Sequence, residues 1–217
     1  SGSDLWRSSF WLIVYNILWV TFSVPGMFLI AIGYATASIP LRLVGSGLLI
    51  LWPFLTFGLF HAAFEVGEDR DLQWRTIFDG GRAVLKDAYI WGVINILLIN
   101  LLLSNIQFYT NPASPMSDTL GGAILGSIFL TVTALWILWQ PLVIALHSRG
   151  NSDSLLSTYK DAWLMVLADP VEIFINLILN LLLVTIGLLI PPIGFLVSFS
   201  AITVFSNRTV KVLNEGI

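Results

Sequence analysis

Long apolar stretches occupy most of this chain of 217 residues and constrain its fold more than any other feature. Charged residues make up 11% of the chain, whereas soluble domains carry about 25%. In water, so apolar a surface would form patches larger than soluble monomers tolerate. We therefore expect an all-α polytopic membrane protein whose main partner is the lipid bilayer. Four of the stretches are Phe10 to Tyr34, Leu43 to Val66, Ala88 to Phe108 and Gly121 to His147.

A fifth apolar stretch, from Val171 to Ser206, is too long for one span. Its roughly 36 residues would make about 54 Å of helix, against a hydrocarbon core of about 30 Å. Pro191-Pro192-Ile193-Gly194 lies inside this stretch, and consecutive prolines end a helix. The stretch therefore predicts two spans joined by a tight turn, which makes six transmembrane helices in all.

The positive charges predict the orientation of these helices. With the N-terminus in the cytoplasm, all but one of the ten Lys and Arg residues fall on the cytoplasmic side, and only Arg42 falls outside. Five spans would instead place Arg208 and Lys211 outside. The sequence therefore predicts a multi-pass protein of the inner (plasma) membrane with both termini in the cytoplasm. We expect the first stretch to be a span rather than a signal peptide.

The spans also show an internal repeat. The segments FWLIVYNILW, YIWGVINILL and VEIFINLILN align on Asn16, Asn95 and Asn176. Each repeat is expected to be an interfacial helix followed by a hairpin of two spans. The predicted units, within a single transmembrane domain, are residues 4–66, 71–148 and 153–211. Residues 1–3 are expected to be a cloning scar.

Two polar connectors, Asp71 to Asp87 and Asp153 to Asp169, have the apolar spacing of amphipathic helices that lie in a membrane interface. Their predicted buried faces consist of Trp74, Ile77, Phe78, Val84 and Leu85 in the first connector and of Leu155, Leu156, Tyr159, Trp163 and Val166 in the second. The candidate residues for docking a cytoplasmic partner or a transporter subunit are Arg75, Arg82, Lys86 and Lys160. The alternative is a solvated face of mixed charge.

The spans contain amide side chains but almost no ionisable ones, which argues against ion-coupled transport. We predict that the asparagines and the Trp-Pro elements line a pocket, since proline frees backbone carbonyls there. The candidate substrate-binding residues are Asn16, Asn95, Asn176, Asn180, Trp52, Trp139 and Gln140. Two alternatives stay open: hydrogen bonding between helices for the amides, and packing kinks for the prolines. The tryptophans expected at membrane interfaces are Trp6, Trp11, Trp74, Trp91 and Trp163.

His61 and Glu65 stand four residues apart on one helix, a spacing that can chelate a metal, and His147 ends the matching helix of the next unit. The alternative, which we prefer, is that both histidines mark the cytoplasmic interface. The chain has no cysteine and none of the motifs of hydrolases, metalloproteases or nucleotide-binding enzymes. We therefore predict no enzymatic activity, no cofactor and no nucleic-acid partner.

Small residues spaced four apart, Gly122 with Gly126 and Ala31 with Ala35, favour close packing of helices. This packing could occur within the chain or between copies in a homo-oligomer. The sequence leaves both alternatives open.

Two stretches carry a resemblance to a known family. NILWVTFSVPGMFLIAIGYA (Asn16 to Ala35) resembles the start of the YesL-like family of poorly characterised bacterial membrane proteins. FDGGRAVLKDAYIWGVINILLIN (Phe78 to Asn100) resembles that family's helix leading into the third span. The similarity covers the first half of the chain and fades after Tyr109. It implies an accessory role in carbohydrate uptake and carries over no catalytic residue.

These observations lead to two functional hypotheses. The first is a transport-associated membrane protein that binds or passes a small neutral solute, for example a sugar. The second is a non-transporting scaffold or partner subunit that docks another membrane complex through its cytoplasmic connectors.

Overall fold

The computed structural model describes residues 2–150, 154–190 and 197–215, and the regular secondary structure of these residues is helical. The all-α prediction is therefore confirmed for this part of the chain. The helices are α1 (Gly2–Ala35), α2 (Ile39–Leu48), α3 (Trp52–Gly67), α4 (Thr76–Ala83), α5 (Leu85–Thr110), α6 (Leu120–Ser148), α7 (Leu155–Ala168), α8 (Pro170–Leu189) and α9 (Phe199–Glu215). A 3-10 turn, Leu49–Leu51, joins α2 to α3.

Five helical stretches are long and apolar enough to cross a membrane, by length and composition. They are Ser9–Ala35, Ile39–Gly67 (α2 and α3 together), Leu85–Thr110, Leu120–Ser148 and Pro170–Gly187. The fifth apolar stretch of the sequence forms α8 and the separate, 17-residue α9. The predicted turn at residues 191–194 lies outside the described residues. A helical protein suited to membrane insertion is thus supported, and the sixth span stays a prediction.

Prolines mark the start of several helices and interrupt the backbone hydrogen bonding of two others. Pro53 lies in the first turn of α3 and Pro170 in that of α8, where a backbone N–H would have no intrahelical acceptor. Pro25 and Pro141 lie inside α1 and α6, where each removes a backbone hydrogen bond and frees a carbonyl. Pro141 and the residue before Pro25, Val24, both line the cavity described below.

The core between the helices is rich in aromatic residues. Its largest fully buried side chains include Tyr15, Phe57, Phe60 and Trp91, and the rings of Phe57 and Trp91 meet edge to face with centroids 5.6 Å apart. The outer surface is apolar as well, and its exposed side chains include Phe28, Leu97, Leu120, Leu130 and Phe174. Helices that are apolar on both their inner and outer sides require lipid around them.

Helix α9 buries more polar side chains than any other described helix. It packs against α3, α6 and α8. Its buried polar side chains are Ser200, Thr203, Ser206, Asn207 and Thr209. Asn207 Nδ2, for example, donates to the carbonyls of Phe60 and Thr203 at 3.2 and 3.0 Å. Such bonds allow a helix of low hydropathy to pack inside an apolar bundle.

The connector helices are shorter than the segments predicted for them. Helix α4 ends at Ala83 because the backbone of Val84 leaves helical geometry (φ −122°, ψ 28°), so that Leu85 already belongs to α5. Of the predicted apolar faces, Ile77 and Leu155 are buried against the bundle, and the members more than half exposed are Trp74, Leu156 and Trp163. Each predicted face is therefore divided between contact with the bundle and the outer surface.

Candidate binding site

A cavity of about 530 Å³ lies between the helices and is the candidate binding site. Its wall is formed by α1, α3, α5, α6, α8 and the start of α9, so each predicted repeat unit supplies two helices. The volume falls within the roughly 300–1,000 Å³ typical of small-molecule pockets. Wall residues such as Val20, Thr56 and Asn180 lie near the middle of the candidate spans that carry them. A bound molecule would therefore sit at mid-depth in the bundle.

Three indole rings form much of the cavity wall: Trp19, Trp52 and Trp91. Trp19 stacks on Phe199 with ring centroids 3.8 Å apart, and its Nε1 donates to Thr56 Oγ1 at 2.8 Å. The ring centroids of Trp52 and Trp91 lie 4.7 Å apart. Large rings held in fixed orientations offer flat apolar surfaces to a ligand.

The hydrogen bonds of the wall converge on Gln140. Its Oε1 accepts from Trp91 Nε1 at 2.8 Å, from the Tyr159 hydroxyl at 2.9 Å and from Asn95 Nδ2 at 3.4 Å. Asn95 Oδ1 in turn accepts from Trp136 Nε1 at 2.9 Å. These bonds join α5, α6 and α7 beside the cavity.

Three residues of the wall also carry buried polar atoms that have no hydrogen-bond partner among the described residues. These atoms are Trp52 Nε1, Asn180 Oδ1 and Ser198 Oγ. A buried polar atom without a partner costs about 1–3 kcal/mol, and such atoms are few in native proteins. Their presence around one cavity gives an otherwise apolar wall an unused donor, an unused acceptor and a hydroxyl.

The repeat-related asparagines are all buried and all bond to a neighbouring helix. Asn16 Oδ1 accepts from the backbone N–H of Ser200, and Asn176 Nδ2 donates to Thr209 Oγ1, both at 3.0 Å. Asn95 bonds to α6 as described above. Of the three, Asn95 alone lines the cavity, and the third unit is represented in the wall by Asn180. The geometry therefore favours interhelical hydrogen bonding as the role of Asn16 and Asn176.

Two tryptophans have surroundings that the sequence did not indicate. Trp139 packs on Tyr159 and Trp163, with ring centroids 5.8 Å from each, and lies outside the cavity wall. Trp91, expected at an interface, is 2% exposed and lines the cavity. Its spacing of four residues from Asn95 was the available signal, because residues four apart share a helix face. Of the remaining predicted binding residues, Trp52 and Gln140 line the cavity.

The candidate metal ligands do not come together. His61 Nε2 lies 3.7 Å from Glu65 Oε1, and the same carboxylate pairs with Arg70 at 3.0 Å. His147 instead contacts the Asp87 carboxylate at 3.4 Å and shares a hydrogen bond of 2.8 Å with the Thr158 hydroxyl. Among the described residues, no group of three or more His, Cys, Asp or Glu side chains is arranged to hold a metal ion.

The cations proposed for partner docking are all exposed: Arg75, Arg82, Lys86 and Lys160. The guanidinium of Arg75 lies over the ring of Trp74, 4.9 Å from its centroid. The small residues Gly122 and Gly126 approach Met116 and α5 of the same chain.

Fold and site together define a class of protein, an all-helical bundle with five helices suited to membrane insertion. Within that bundle lies an apolar cavity. No family model, no curated protein and no solved structure matches the chain. The resemblance to the YesL-like family, and the role that it implies, therefore stays a prediction.

Proposed function

We propose that this chain is a six-span protein of the plasma membrane that binds a small neutral molecule in the cavity between its helices, as part of a transport process. The observation that carries the proposal is the cavity of about 530 Å³, to which two helices of every predicted unit contribute. Its position near the middle of the spans supports a transport role, because transport sites typically lie near the bilayer midplane.

The wall favours a neutral ligand. Among the described residues that line the cavity, none is ionisable. A charged ligand would lose its hydration there without gaining a counter-ion, and the cost of such burial is large. The amides of Asn95 and Gln140 supply the polar character of the wall instead.

The wall also favours a ligand with an apolar body and few polar groups. Its exposed surface is almost entirely apolar, and the indole rings of Trp19, Trp52 and Trp91 are its largest elements. A sugar carries a hydroxyl on most of its carbons, each of which needs a partner once it leaves water. The unused atoms of Trp52, Asn180 and Ser198 match one or two polar groups. A medium-chain alcohol represents this class better than a sugar does.

Quenching of tryptophan fluorescence by a brominated fatty alcohol tests this proposal. We expect saturable quenching in the purified protein that an unbrominated alcohol reverses and glucose does not. Val20→Phe narrows the cavity and weakens the saturable component, because Val20 lines the cavity and is 6% exposed. The matched variant Val93→Phe, on an exposed position of α5, keeps that component. Equal saturable quenching in both variants would refute the cavity as the site, and reversal by glucose would restore the sugar hypothesis.

The second hypothesis, a partner subunit that docks through its connectors, is favoured by the outer side of α7. This side presents the exposed apolar residues Leu156, Trp163 and Leu167 around the exposed Lys160. A photo-crosslinking residue at position 156, compared with one at Leu97 on the outer surface of α5, tests this hypothesis in native membranes. A protein crosslinked from position 156 and not from position 97 supports docking; lipid adducts at both positions contradict it.

A further inference from the structure

Arg42 is a cation without an anionic partner on the side of the bundle opposite the connectors. It lies in the first turns of α2 and is partly buried. No ion pair or side-chain hydrogen bond links its guanidinium to another described residue, and its Nε is fully buried. Its one ring contact places the guanidinium carbon 4.7 Å from the centroid of Tyr34. A partly buried guanidinium without an anionic partner is destabilised, and an anion from outside the chain would stabilise it.

The surroundings of Arg42 hold its side chain in place. Gly33 has no side chain where α2 approaches α1, and a Cβ there would lie 2.7 Å from Arg42 Cγ. The Tyr34 hydroxyl donates to the Asn100 carbonyl at 2.8 Å, and Gln107 Nε2 donates to the Tyr34 carbonyl at 2.9 Å. Tyr34 is therefore bonded to α5 through both its hydroxyl and its backbone carbonyl. A guanidinium stacked on a fixed ring keeps its plane oriented, so its N–H groups are pre-arranged for an anion.

The neighbouring surface indicates which anion is available. Ile39, Leu43 and Val44 surround Arg42 along α2 and are all more than half exposed. Apolar residues beside a loop, with a basic residue between them, mark the depth of the lipid headgroups. We propose that Arg42, held over Tyr34, binds the phosphodiester of an anionic phospholipid. This inference rests on the proposed membrane insertion and extends it to a specific lipid site.

Native mass spectrometry of the detergent-purified protein, titrated with phosphatidylglycerol, tests the site. We expect Arg42→Gln to weaken the tightest lipid-binding step roughly tenfold, as expected for the loss of a charged hydrogen bond. Arg82→Gln, which removes an exposed cation from α4, leaves that step unchanged. Arg42→Lys keeps the charge but loses the planar stacking, and gives an intermediate value. It also provides a measurement should Arg42→Gln fail to fold.

Two results would overturn the proposal. The first is unchanged phosphatidylglycerol binding in both Arg42 variants. The second is displacement of the lipid by millimolar inorganic phosphate, which would assign the site to a soluble anion. The titration is made in detergent, so it does not depend on which side of the bilayer Arg42 occupies. A reversed topology would therefore move the site to the other leaflet without abolishing it, and the two failures can be told apart.

Discussion

Gln140 links the cavity wall to the connector helix α7 through a single oxygen atom. Trp91 and Tyr159, from two other helices, both donate to its Oε1. Burial raises the pKa of Tyr159 to about 12, so its phenol stays protonated at physiological pH and remains a donor. A ligand with a strong donor would compete for the same oxygen. Binding in the cavity would thus weaken the hydrogen bond between Gln140 and Tyr159 of the connector helix.

Replacing Gln140 with leucine removes this acceptor while keeping the size of the side chain. We expect Gln140→Leu to lower the free energy of unfolding by about 1–2 kcal/mol, since interhelical hydrogen bonds in membranes average about 0.6 kcal/mol each. Denaturant unfolding in mixed micelles provides the measurement. Gln73→Leu is the matched control, because the side chain of Gln73 is exposed. Equal stability of the two variants would contradict the role assigned to Gln140.

For individual residues, the sequence predicted the amide side chains of the candidate site better than its aromatic rings. Asn95 and Gln140 stand out because a polar side chain inside an apolar run must find a partner or line a cavity. Trp91 could not be assigned in the same way. Whether an indole near a helix end meets lipid or core depends on the rotation of the helix about its axis, which packing determines. Asn16 and Trp139, predicted as binding residues, contact neighbouring helices and do not line this cavity.

At the scale of elements, α3 and α4 are held together by an unusually close approach. Gly58 of α3 lies directly against the backbone carbonyl of Ile77, and a Cβ at position 58 would overlap that oxygen. One turn further along the same face of α4, Gly80 lies against the side chain of His61. Position 58 requires glycine because no side chain fits against that carbonyl, and a Cβ at position 80 would lie 2.5 Å from His61 Cβ. These contacts explain why α4 is docked on the bundle rather than lying free in the interface.

Gly58→Ala tests this close approach. We expect a loss of about 1–3 kcal/mol of stability, since a methyl group in a filled contact forces the backbone to shift. Gly47→Ala is the control, because nothing lies within 4 Å of a Cβ at that helical position. It should be neutral or stabilising by up to about 1 kcal/mol. Thermal unfolding of both variants in detergent measures the difference, and a stable Gly58→Ala protein would show that α4 is not fixed by this contact.

The sequence pattern predicted most of the helices but not all of the contacts that their side chains make. Apolar length alone predicts α1, α5 and α6, because lipid requires long apolar helices. It does not predict that α9 turns its polar residues inward. In sequence, Ser206 ends the last apolar stretch and Thr209 lies beyond it; in the structure they bond to Asn180 and Asn176 of α8. These hydrogen bonds between α8 and α9 depend on tertiary packing, which the periodicity of the sequence does not predict.

At the scale of the whole molecule, the end of α9 meets the ends of α3 and α6 on the connector side. Lys211 Nζ lies 3.1 Å from the Gly67 carbonyl and from Glu68 Oε1, and this hydrogen bond lowers the pKa of the Glu68 carboxyl. Arg149 Nη2 donates to the Asn207 carbonyl at 3.2 Å. These contacts place Asn207 and Lys211 of α9 beside the ends of α3 and α6. An even number of spans requires the same arrangement.

Single-cysteine labelling decides between six spans and five. These 217 residues contain no cysteine, so each introduced thiol is the only one among them. The exposed positions Asp71, Asp118 and Arg208 report on the first connector, the opposite loop and α9, respectively. With a membrane-impermeant maleimide on intact cells, we expect Asp118→Cys to react at once, and the other two only after the membrane is permeabilised. Five spans predict instead that Arg208→Cys reacts together with Asp118→Cys, which would also place Arg208 and Lys211 against the positive-charge bias that orients membrane helices.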